Sequence, residues 1–519
     1  MAQPILPFSI TNPGFLGLNI QDAPIGLNPA YALKATNCVI DHSGRIAARK
    51  GWSKVIPAIN SDLGTNNITC MGDLVEDDGS RTVLAAGGGY LYKINGSTLT
   101  TLTYDTNNGA NTAPVITANN WQFCQLSGHG IFWQRGHDPL VYDPAVSTTT
   151  FKRLSEKTGG SGVVNQCNTA ISAYGRIWAA DNTADKGTVV FSDLLAPHQW
   201  TGGTSGSLDV RKAWPLGGDE IVALASHNNF LIIFGKRQML IYSGAEDPAT
   251  MQVSSTDAIN NIGCIARDSV QSTGEDVIFL SDTGVRSLMR TIQEKSSPLR
   301  ELSRNVRDEI QYHIGIESLE TIKSVYSPTN SFYLLTMPSS DETYCFDTRQ
   351  VDKNGAARTT VWDGIPAASF CQLSTGELYT GRAGYIGEYN TYLDDTEDYT
   401  LSYLTPWLDF GNPIQTSILK NMVFTLFGIS NQSITTKWSF DFNTSFNTSQ
   451  KTITNPTESY EYGVAEYNIS EYSGGFFVER LKVQGSKSGQ VLQIGLDTDV
   501  SGSGISLQKI DVLTKNGRL

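Results

Sequence analysis

Short apolar and polar blocks alternate along most of the chain, and the clearest example is Phe230 to Tyr242, with the sequence FLIIFGKRQMLIY. Two apolar runs of strand length flank a break of Gly, Lys, Arg and Gln. Runs of β-branched, aromatic and aliphatic residues around a tight polar break predict a β-hairpin. The same pattern can therefore be searched for elsewhere in the chain.

Six more stretches fit the hairpin pattern: Thr82–Ile94, Gly130–Tyr142, Gly175–Phe191, Asp276–Leu288, Ser331–Phe346 and Glu377–Tyr389. The seven hairpins start about 45–55 residues apart, close to the spacing of β-propeller blades. One hairpin cannot bury its own apolar face, whereas blades stacked in a closed ring can. The further strands of the blades are predicted from apolar runs at Trp121–Leu126, Thr149–Leu154, Ile221–Ala225 and Ser369–Leu373. The sequence predicts an all-β propeller of six to seven blades, and hairpins in stacked sandwiches are the alternative.

Residues 1–44 do not fit the hairpin pattern and predict an extended N-terminal arm, because prolines and glycines interrupt them repeatedly. The arm is nevertheless apolar, with Phe15, Leu16, Leu18, Ile20 and Leu27. Such an arm must pack on something, either its own propeller or a neighbouring subunit. Within it, Tyr31–Asn37 predicts a short helix.

One segment inside the propeller, residues 297–314, has helical periodicity, with apolar residues at spacings of three and four. Ser297 can cap this inserted helix, and Pro298 suits its first turn. The opposite face carries Arg300, Arg304 and Arg307. The helix either makes partner contacts or covers an exposed edge with its charges in solvent.

Residues 45–400 are assigned to the propeller and residues 401–519 to a second β domain. The acidic stretch Thr391–Thr400 between them is interpreted as a solvated linker. The strand candidates of the second domain are Ser402–Asp409, Lys420–Phe427, Thr435–Phe442, Gly475–Gln484, Gln490–Leu496 and Ile505–Leu513. Strands without an internal repeat predict a C-terminal β-sandwich-like domain.

The amino-acid composition argues against several classes of function. A net charge of −13 with scattered Lys and Arg argues against gripping nucleic acid, which needs clustered cations. Seven cysteines without a CxxC pair indicate small core side chains in a reducing compartment. The first residues have no basic region followed by a long apolar one, and no run approaches 18 apolar residues. We therefore expect neither a signal peptide nor a membrane span.

No catalytic or nucleotide-binding motif is present, so we expect no enzyme, no cofactor and no metal. His129, His137 and Asp138 flank one hairpin and are interpreted as turn residues rather than ligands. Carboxylate pairs for glycan cleavage would come from different blades and would leave no spacing signature.

A specific resemblance lies in Phe15–Trp52. In order, this segment has a Gly-Leu-Asn turn, an Asp-Ala-Pro step, Tyr-Ala-Leu, an Asn-x-x-x-Asp turn and a Gly-Arg-x-x-x-Arg-x-Gly strand. It resembles the N-terminal segment of tail tube and nozzle proteins of short-tailed bacteriophages, the tail tubular protein B or phage stabilisation protein family. Thr405–Gly411 and Lys515–Leu519 resemble the same family.

The resemblance implies a structural virion protein that is assembled in the host cytoplasm. It implies a hexameric ring at the end of the tail that continues the DNA-ejection channel. An adaptor ring would lie above, a tail fibre or spike at the side, and the host envelope within reach. Double-stranded DNA would pass through a negative or neutral lumen without specific binding. The subunit-interface candidates are Phe15, Leu16, Leu18, Ile20, Leu27, Arg300, Arg304 and Arg307.

Propellers host many functions, so two alternatives stay open at this point. One is a carbohydrate-binding adhesin or a glycan depolymerase. The other is a secreted binding propeller, which the missing signal peptide disfavours.

Overall fold

The computed structural model of the chain describes residues 5–56, 60–107, 109–116, 120–160, 166–253, 258–293, 301–410, 414–428, 432–453 and 478–517. Strands dominate these residues. The N-terminal segment contains β1 (Ile5–Ile10), β2 (Gly17–Leu18), β3 (Tyr31–Ala32), β4 (Lys34–Thr36), β5 (Cys38–Ile40), β6 (Ile46–Ala48) and β7 (Ser53–Lys54).

Four consecutive blades follow, each a sheet of strands that are neighbours in sequence and antiparallel, apart from one parallel edge strand in blade 2. Blade 1 is β8 (Ile68–Val75), β9 (Arg81–Gly87), β10 (Tyr90–Asn95) and β11 (Thr98–Thr101). Blade 2 is β12 (Thr103–Tyr104, parallel to the last strand), β13 (Gln122–Leu126), β14 (His129–Trp133), β15 (Leu140–Tyr142) and β16 (Thr150–Arg153). Blade 3 is β17 (Cys167–Ala173), β18 (Arg176–Asn182), β19 (Thr188–Phe191) and β20 (Gly206–Asp209). Blade 4 is β21 (Ile221–His227), β22 (Phe230–Gly235), β23 (Gln238–Ser243), β24 (Gln252–Val253) and β25 (Ile259–Asn260).

A smaller three-stranded sheet and two helices come next. They are β26 (Gln271–Ser272), β27 (Val277–Leu280), β28 (Val285–Ser287), α1 (Leu288–Gln293) and α2 (Arg307–Ile316), the last preceded by a 3-10 turn at Arg304–Val306. Three further 3-10 turns lie at Leu154–Glu156, Arg267–Ser269 and Pro338–Ser340.

Two more blades complete the propeller. Blade 5 is β29 (Lys323–Ser327), β30 (Phe332–Met337), β31 (Glu342–Val351) and β32 (Ala357–Trp362). Blade 6 is β33 (Ser369–Gln372), β34 (Leu378–Arg382) and β35 (Tyr385–Glu388), with β7 of the N-terminal segment as its fourth strand.

The inner strands β8, β13, β17, β21, β26, β29 and β33 lie side by side, and β33 contacts β8. The ring is therefore closed, with six blades and the three-stranded sheet between blades 4 and 5. Large apolar side chains fill the spaces between blades; Phe234 of blade 4 lies 5.1 Å from Phe279 of the small sheet, centroid to centroid. The predicted propeller of six to seven blades is confirmed, and all seven predicted hairpins are present.

The C-terminal region adds two facing sheets. Its strands are β36 (Tyr399–Leu404), β37 (Ser417–Phe427), β38 (Ser433–Phe440), β39 (Asn447–Thr452), β40 (Val478–Gln484), β41 (Ser488–Gly489), β42 (Leu492–Val500) and β43 (Ser506–Asn516). One sheet has the order β40-β37-β43-β6-β5, with β1 on β43. Side chains from both sheets, such as Phe424 and Leu496, share one core, as in a β-sandwich.

The propeller and the sandwich share a sheet. Strand β4 of the N-terminal segment pairs with β32 of blade 5 on one side and with β36 on the other. The result is a nine-stranded sheet, β29-β30-β31-β32-β4-β36-β42-β38-β39. A single short strand of the N-terminal segment therefore joins the two parts of the molecule.

Two local predictions are wrong. Tyr31–Asn37 contains the strands β3 and β4 instead of a helix, because the backbone of β4 pairs with β32 on one side and with β36 on the other. The helix predicted over 297–314 begins only at Arg307 and ends at Ile316. Residues 297–300 lie outside the described residues. Leu302 cannot join the helix, because its backbone N–H bonds to Val285 and its carbonyl accepts from Ala357.

Candidate assembly site at the propeller–sandwich junction

The junction is centred on a buried arginine. Arg49 follows β6, and its side chain is fully buried. Its two terminal nitrogens donate to the carboxylate of Asp394 at 2.8 and 2.7 Å, and the guanidinium lies 4.1 Å from the ring centroid of Tyr399. Bidentate pairing to a carboxylate is the strongest geometry that arginine offers. Asp394 is therefore an anchor for Arg49 and not a solvated carboxylate, whereas Glu397 and Asp398 of the same stretch are exposed, as the interpretation of a solvated linker expects.

Asn37 extends this network into blade 5. Its side-chain oxygen accepts from Arg49 Nε at 2.9 Å and from the backbone of Asp363 at 3.1 Å. Its amide nitrogen donates to the carboxylate of Asp363 and to the carbonyl of Thr400 at 2.9 Å. One asparagine thus links the N-terminal segment, the propeller and the start of the sandwich.

The glycines and the first arginine of the phage-like motif are also explained by packing. Gly44 has φ +78° and lies under the ring of Phe15, which a Cβ would overlap. A Cβ on Gly51 would overlap the backbone carbonyl of Leu393. Arg45 pairs with Asp41 at 2.7 Å, four residues earlier. The motif therefore specifies a close chain crossing.

The segments Thr405–Phe410 and Lys515–Gly517 both contact the N-terminal arm. Ile25 forms a parallel bridge with Trp407, whose ring lies 4.7 Å from that of Phe442. At the chain ends, β1 pairs with β43 over six residue pairs, and Phe8 packs edge-on against Phe410 at 5.6 Å. Ile25 and Phe442 are about half exposed, at 52% and 49%. We call Ile25, Trp407 and Phe442 the outer patch.

The structure separates the predicted apolar interface residues into buried and exposed ones. Leu18 lies in the chain's own core at 5% exposure, so it is not accessible to a neighbouring subunit. Phe15, Leu16 and Leu27 are half-buried, and Phe15 lies 5.0 Å below the guanidinium of Arg358 in blade 5. Ile20 is exposed at 41%. The sequence left open whether the arm packs on its own propeller or on a neighbouring subunit. Phe15 packs on the chain's own propeller.

The predicted arginines contact their own chain. Arg304 lies 3.5 Å from Asp22 of the arm, and Arg307 pairs with the buried Glu301 at 3.1 Å. The side chain of Gln21 also bonds to Asp308 at the start of α2. Arm and inserted helix, two separate interface predictions, thus form one continuous surface. Arg300 lies outside the described residues.

A second polar cluster lies in the propeller. Arg267, almost fully buried, donates to the carbonyls of Trp121 at 3.1 Å and Asn168 at 2.7 Å and pairs with Asp268 at 2.7 Å. Trp121 and Asn168 lie at the starts of the inner strands β13 and β17. Since inner strands run in the same direction around a propeller, these starts lie at one end of its channel.

Lys323, the first residue of β29, approaches this cluster from the far side of the ring. It pairs with Asp268 and donates to the side chain of Asn120 at 3.0 Å. Burial alone would raise the pKa of Asp268, but the charges of Arg267 and Lys323 hold it at about 2. This axial cluster spans the channel, so the propeller's own axis is closed at this end.

Beside the cluster, the inner strands line a cavity of about 490 Å³. Its polar lining is mostly uncharged, with glutamines such as Gln122 and Gln372. Asp73 is the one carboxylate among the lining residues, and it accepts two hydrogen bonds from Ser374. Glycan hydrolysis ordinarily uses two facing carboxylates. This cavity therefore does not offer that pair.

One group of side chains among the described residues has the make-up of a metal site: Glu309, His313 and Glu342. One ligand atom from each lies within 4.8 Å of the other two. The sequence reasoning missed this group because Glu342 lies on a different element from the helical pair. The histidines that the sequence singled out are elsewhere: His129 contacts Asp143 at 3.3 Å, and the ring of His137 lies 6.3 Å from that of Trp121.

All seven cysteines are buried and free. This agrees with their interpretation as small core side chains. Among the described residues, no helix combines the length and apolar character needed to cross a membrane.

No family model matches this sequence, and no curated protein matches it. Solved propeller structures are similar only at low identity. A streptogramin B lyase structure has 11% identity and a TM-score of 0.35, covering 66% of this chain and 97% of that one. The AfRom2 CNH domain has 11% identity and a TM-score of 0.36, covering 65% and 97%. The Neurospora crassa Pan2 WD40 domain has 13% identity and a TM-score of 0.28, covering 70% and 91%. Similarity at this level carries no argument about function.

Proposed function

We propose that this protein is a structural component of a short-tailed phage virion, the nozzle or distal part of the tail tube. The observation that carries the proposal is the contact between two of the segments that resemble the phage family. Ile25 of Phe15–Trp52 forms a parallel bridge with Trp407 of Thr405–Phe410, although the two segments are far apart in sequence. Lys515 of the third segment pairs with Ile5 of the arm, ahead of the first segment. Segments that resemble one family only by chance would have no reason to contact each other.

The architecture suits a part that bears load without moving. Strand β7 completes blade 6 and β1 pairs with β43 of the sandwich, so the N-terminal segment is part of both. The shared nine-stranded sheet leaves no flexible linker between them. A wall around a DNA duct needs this kind of rigidity.

In the proposed assembly, copies of the chain form a ring, with six as the expected number. The outer patch and Ile20, which is also exposed on the arm, would contact a neighbouring copy or the adaptor ring. A tail fibre or spike and the host envelope are the other expected partners. Because the axial cluster closes the propeller channel, DNA would pass along the axis of the ring. The net charge of −13 suits a duct that does not hold phosphates.

The carbohydrate alternatives would use the propeller cavity. An adhesin would need exposed aromatic side chains around it, and a depolymerase would need facing carboxylates. Asp73 is the one carboxylate among the lining residues, so the cavity lacks the pair that a depolymerase needs. Its lining includes Phe123, Tyr326 and Phe370, so it is compatible with an adhesin. We favour the structural function because of the contact between the two resembling segments.

Electron microscopy of the purified protein, alone and mixed with the tail adaptor ring of the same virion, tests the proposal. We expect closed ring-shaped particles, either free or seated on the adaptor, and averaged images with six-fold symmetry. Single particles that ignore the adaptor and bind or cleave a host surface glycan would contradict it.

A further inference from the structure

The inserted helix α2 carries two potential metal ligands one turn apart. Glu309 and His313 are separated by four residues, so both side chains lie on one face of the helix. That face packs on blade 5, where Glu342 begins β31. His313 Nε2 lies 3.0 Å from a carboxylate oxygen of Glu342. Two separate elements thus bring one imidazole and two carboxylates together.

The imidazole is already oriented. His313 is 8% exposed, and its Nδ1 lies 2.8 Å from the hydroxyl oxygen of Ser340. A hydrogen bond at one ring nitrogen fixes the ring and directs the other nitrogen, here towards Glu342. Histidine ligands in proteins are usually held by such a partner.

The two carboxylates lack a compensating cation. Among the described residues, no Lys or Arg forms an ion pair with Glu309 or Glu342. One carboxylate oxygen of Glu309, Oε2, is buried without a hydrogen-bond partner. The contact between His313 and Glu342 leaves this Glu309 oxygen without a partner, whereas a divalent cation between the three side chains would contact all of them.

We propose that Glu309, His313 and Glu342 bind one Zn²⁺ ion, which fastens the inserted helix to blade 5. Zn²⁺ accepts imidazole nitrogen and carboxylate oxygen at about 2.0–2.2 Å, commonly in a tetrahedral shell. Three protein ligands leave the fourth position to water. Side-chain rotation alone brings atoms within 4.8 Å of one another into this shell. The ion would fix the outer face of α2, which exposes Tyr312 and Ile316 at 65% and 57%.

The test is Zn²⁺ binding to the full chain by isothermal titration after removal of metal with a chelator. We expect one equivalent per chain, with binding weakened at least about 100-fold in Glu309→Gln and in His313→Gln. That loss exceeds the effect of most outer-shell changes, about 10–100-fold. Substitution with Co²⁺ should give the visible absorption of a four-coordinate site in the native chain and lose it in both variants.

Two matched variants control the result. Asp308→Asn changes the neighbouring carboxylate on the same helix, which bonds to Gln21 instead. His129→Gln removes a histidine beside Asp143, a carboxylate already paired with Lys157. Both should bind Zn²⁺ like the native chain. Glu309→Gln removes a carboxylate repulsion and should fold without metal at least as stably as the native chain, so lost binding cannot be ascribed to misfolding.

A native chain that takes up no Zn²⁺ would overturn the proposal. So would unchanged binding in Glu309→Gln or His313→Gln. Since the experiment needs no ring and no adaptor, its outcome is independent of the proposed virion function.

Discussion

The propeller and the junction are built from different kinds of sequence information. Each of blades 1 to 5 takes its strands from one continuous stretch of chain, and its hairpins pair neighbours in sequence. The junction instead joins residues that are hundreds of positions apart, such as Arg49 and Asp394 or β1 and β43. The propeller is therefore built from repeated contacts between neighbours in sequence, whereas the junction is the one place where these distant parts of the chain cross.

The difference indicates where the chain tolerates change. A blade that loses one contact keeps its other strands and both neighbouring blades. The junction has no copy elsewhere in the molecule, so the loss of one central residue affects propeller, arm and sandwich together. We therefore expect the most damaging single substitutions at the junction.

Among these substitutions, Arg49→Ala should cause the largest loss of stability and tests whether the junction is more sensitive than the rest of the molecule. It leaves the carboxylate of Asp394 without its cation and removes one of the two hydrogen bonds to the Asn37 oxygen, and removing one member of a buried ion pair costs about 3–5 kcal/mol. Urea unfolding followed by circular dichroism measures the loss. Lys54→Ala is the control, because Lys54 pairs with Asp395 at the surface and should cost no more than about 1 kcal/mol. Equal losses of unfolding free energy in the two variants would show that the buried Arg49–Asp394 pair stabilises the fold no more than a surface ion pair does.

Gly51→Ala tests the close chain crossing itself. The new Cβ would meet the backbone carbonyl of Leu393, which cannot rotate away. We therefore expect the unfolding free energy to fall by about 3 kcal/mol, the upper end of the range for overpacking. Gly218→Ala is the matched control, since nothing lies within 4 Å of its Cβ position. The same unfolding measurement applies. A neutral Gly51→Ala would mean that Gly51 is not required by the crossing.

Acid should weaken the propeller through its axial cluster. The pKa of Asp268 is about 2 in the folded chain and 3.8 in an unfolded one, so its stabilising effect is complete above about pH 4 and is lost towards pH 2. Each pKa unit corresponds to about 1.4 kcal/mol, which gives about 2 kcal/mol in total. Unfolding free energies of the native chain and Asp268→Asn, measured from pH 6 to pH 2, should converge by this amount. A constant difference would contradict the role of the Arg267–Lys323 charges.

The outer patch should affect assembly and leave folding almost unchanged. Phe442 is half exposed and its ring contacts Trp407, so Phe442→Asp should lower the unfolding free energy by only about 1 kcal/mol, the size of one aromatic pair. A calorimetric scan checks this. A large fall in Tm would show that Phe442 is part of the core and not of a contact surface.

Elements formed by local contacts could be predicted from the sequence, whereas elements that depend on long-range contacts could not. The hairpin Phe230–Tyr242 and its six copies could be predicted because a strand pair and its turn are encoded within a few residues. In the sandwich, the alternation of Leu481 and Val483 with charged neighbours likewise predicted β40, where both are buried. Local pattern was sufficient for these elements.

Non-local pairing decided the errors. The apolar spacing around Leu302 is helical, yet its backbone is bonded to β28 and to the start of β32, and this moves the helix start to Arg307. No spacing rule links Arg49 to Asp394, which are 345 residues apart. The one available signal was the position of Arg49 inside the phage-like motif. The Glu309, His313 and Glu342 group was missed for the same reason.

The central claim is that the junction side of the molecule carries the assembly surface of a ring. Light scattering of the native chain and Phe442→Asp, each alone and with the adaptor ring, tests it most directly. Val146→Asp, at an exposed position on blade 2, is the control. We predict a native mass near six times 56.5 kDa, free or on the adaptor, and the same for the control, while Phe442→Asp remains at 56.5 kDa with a Tm lowered by only a few degrees. A native chain that stays at 56.5 kDa under both conditions, or a Phe442→Asp variant that assembles normally, would contradict the claim.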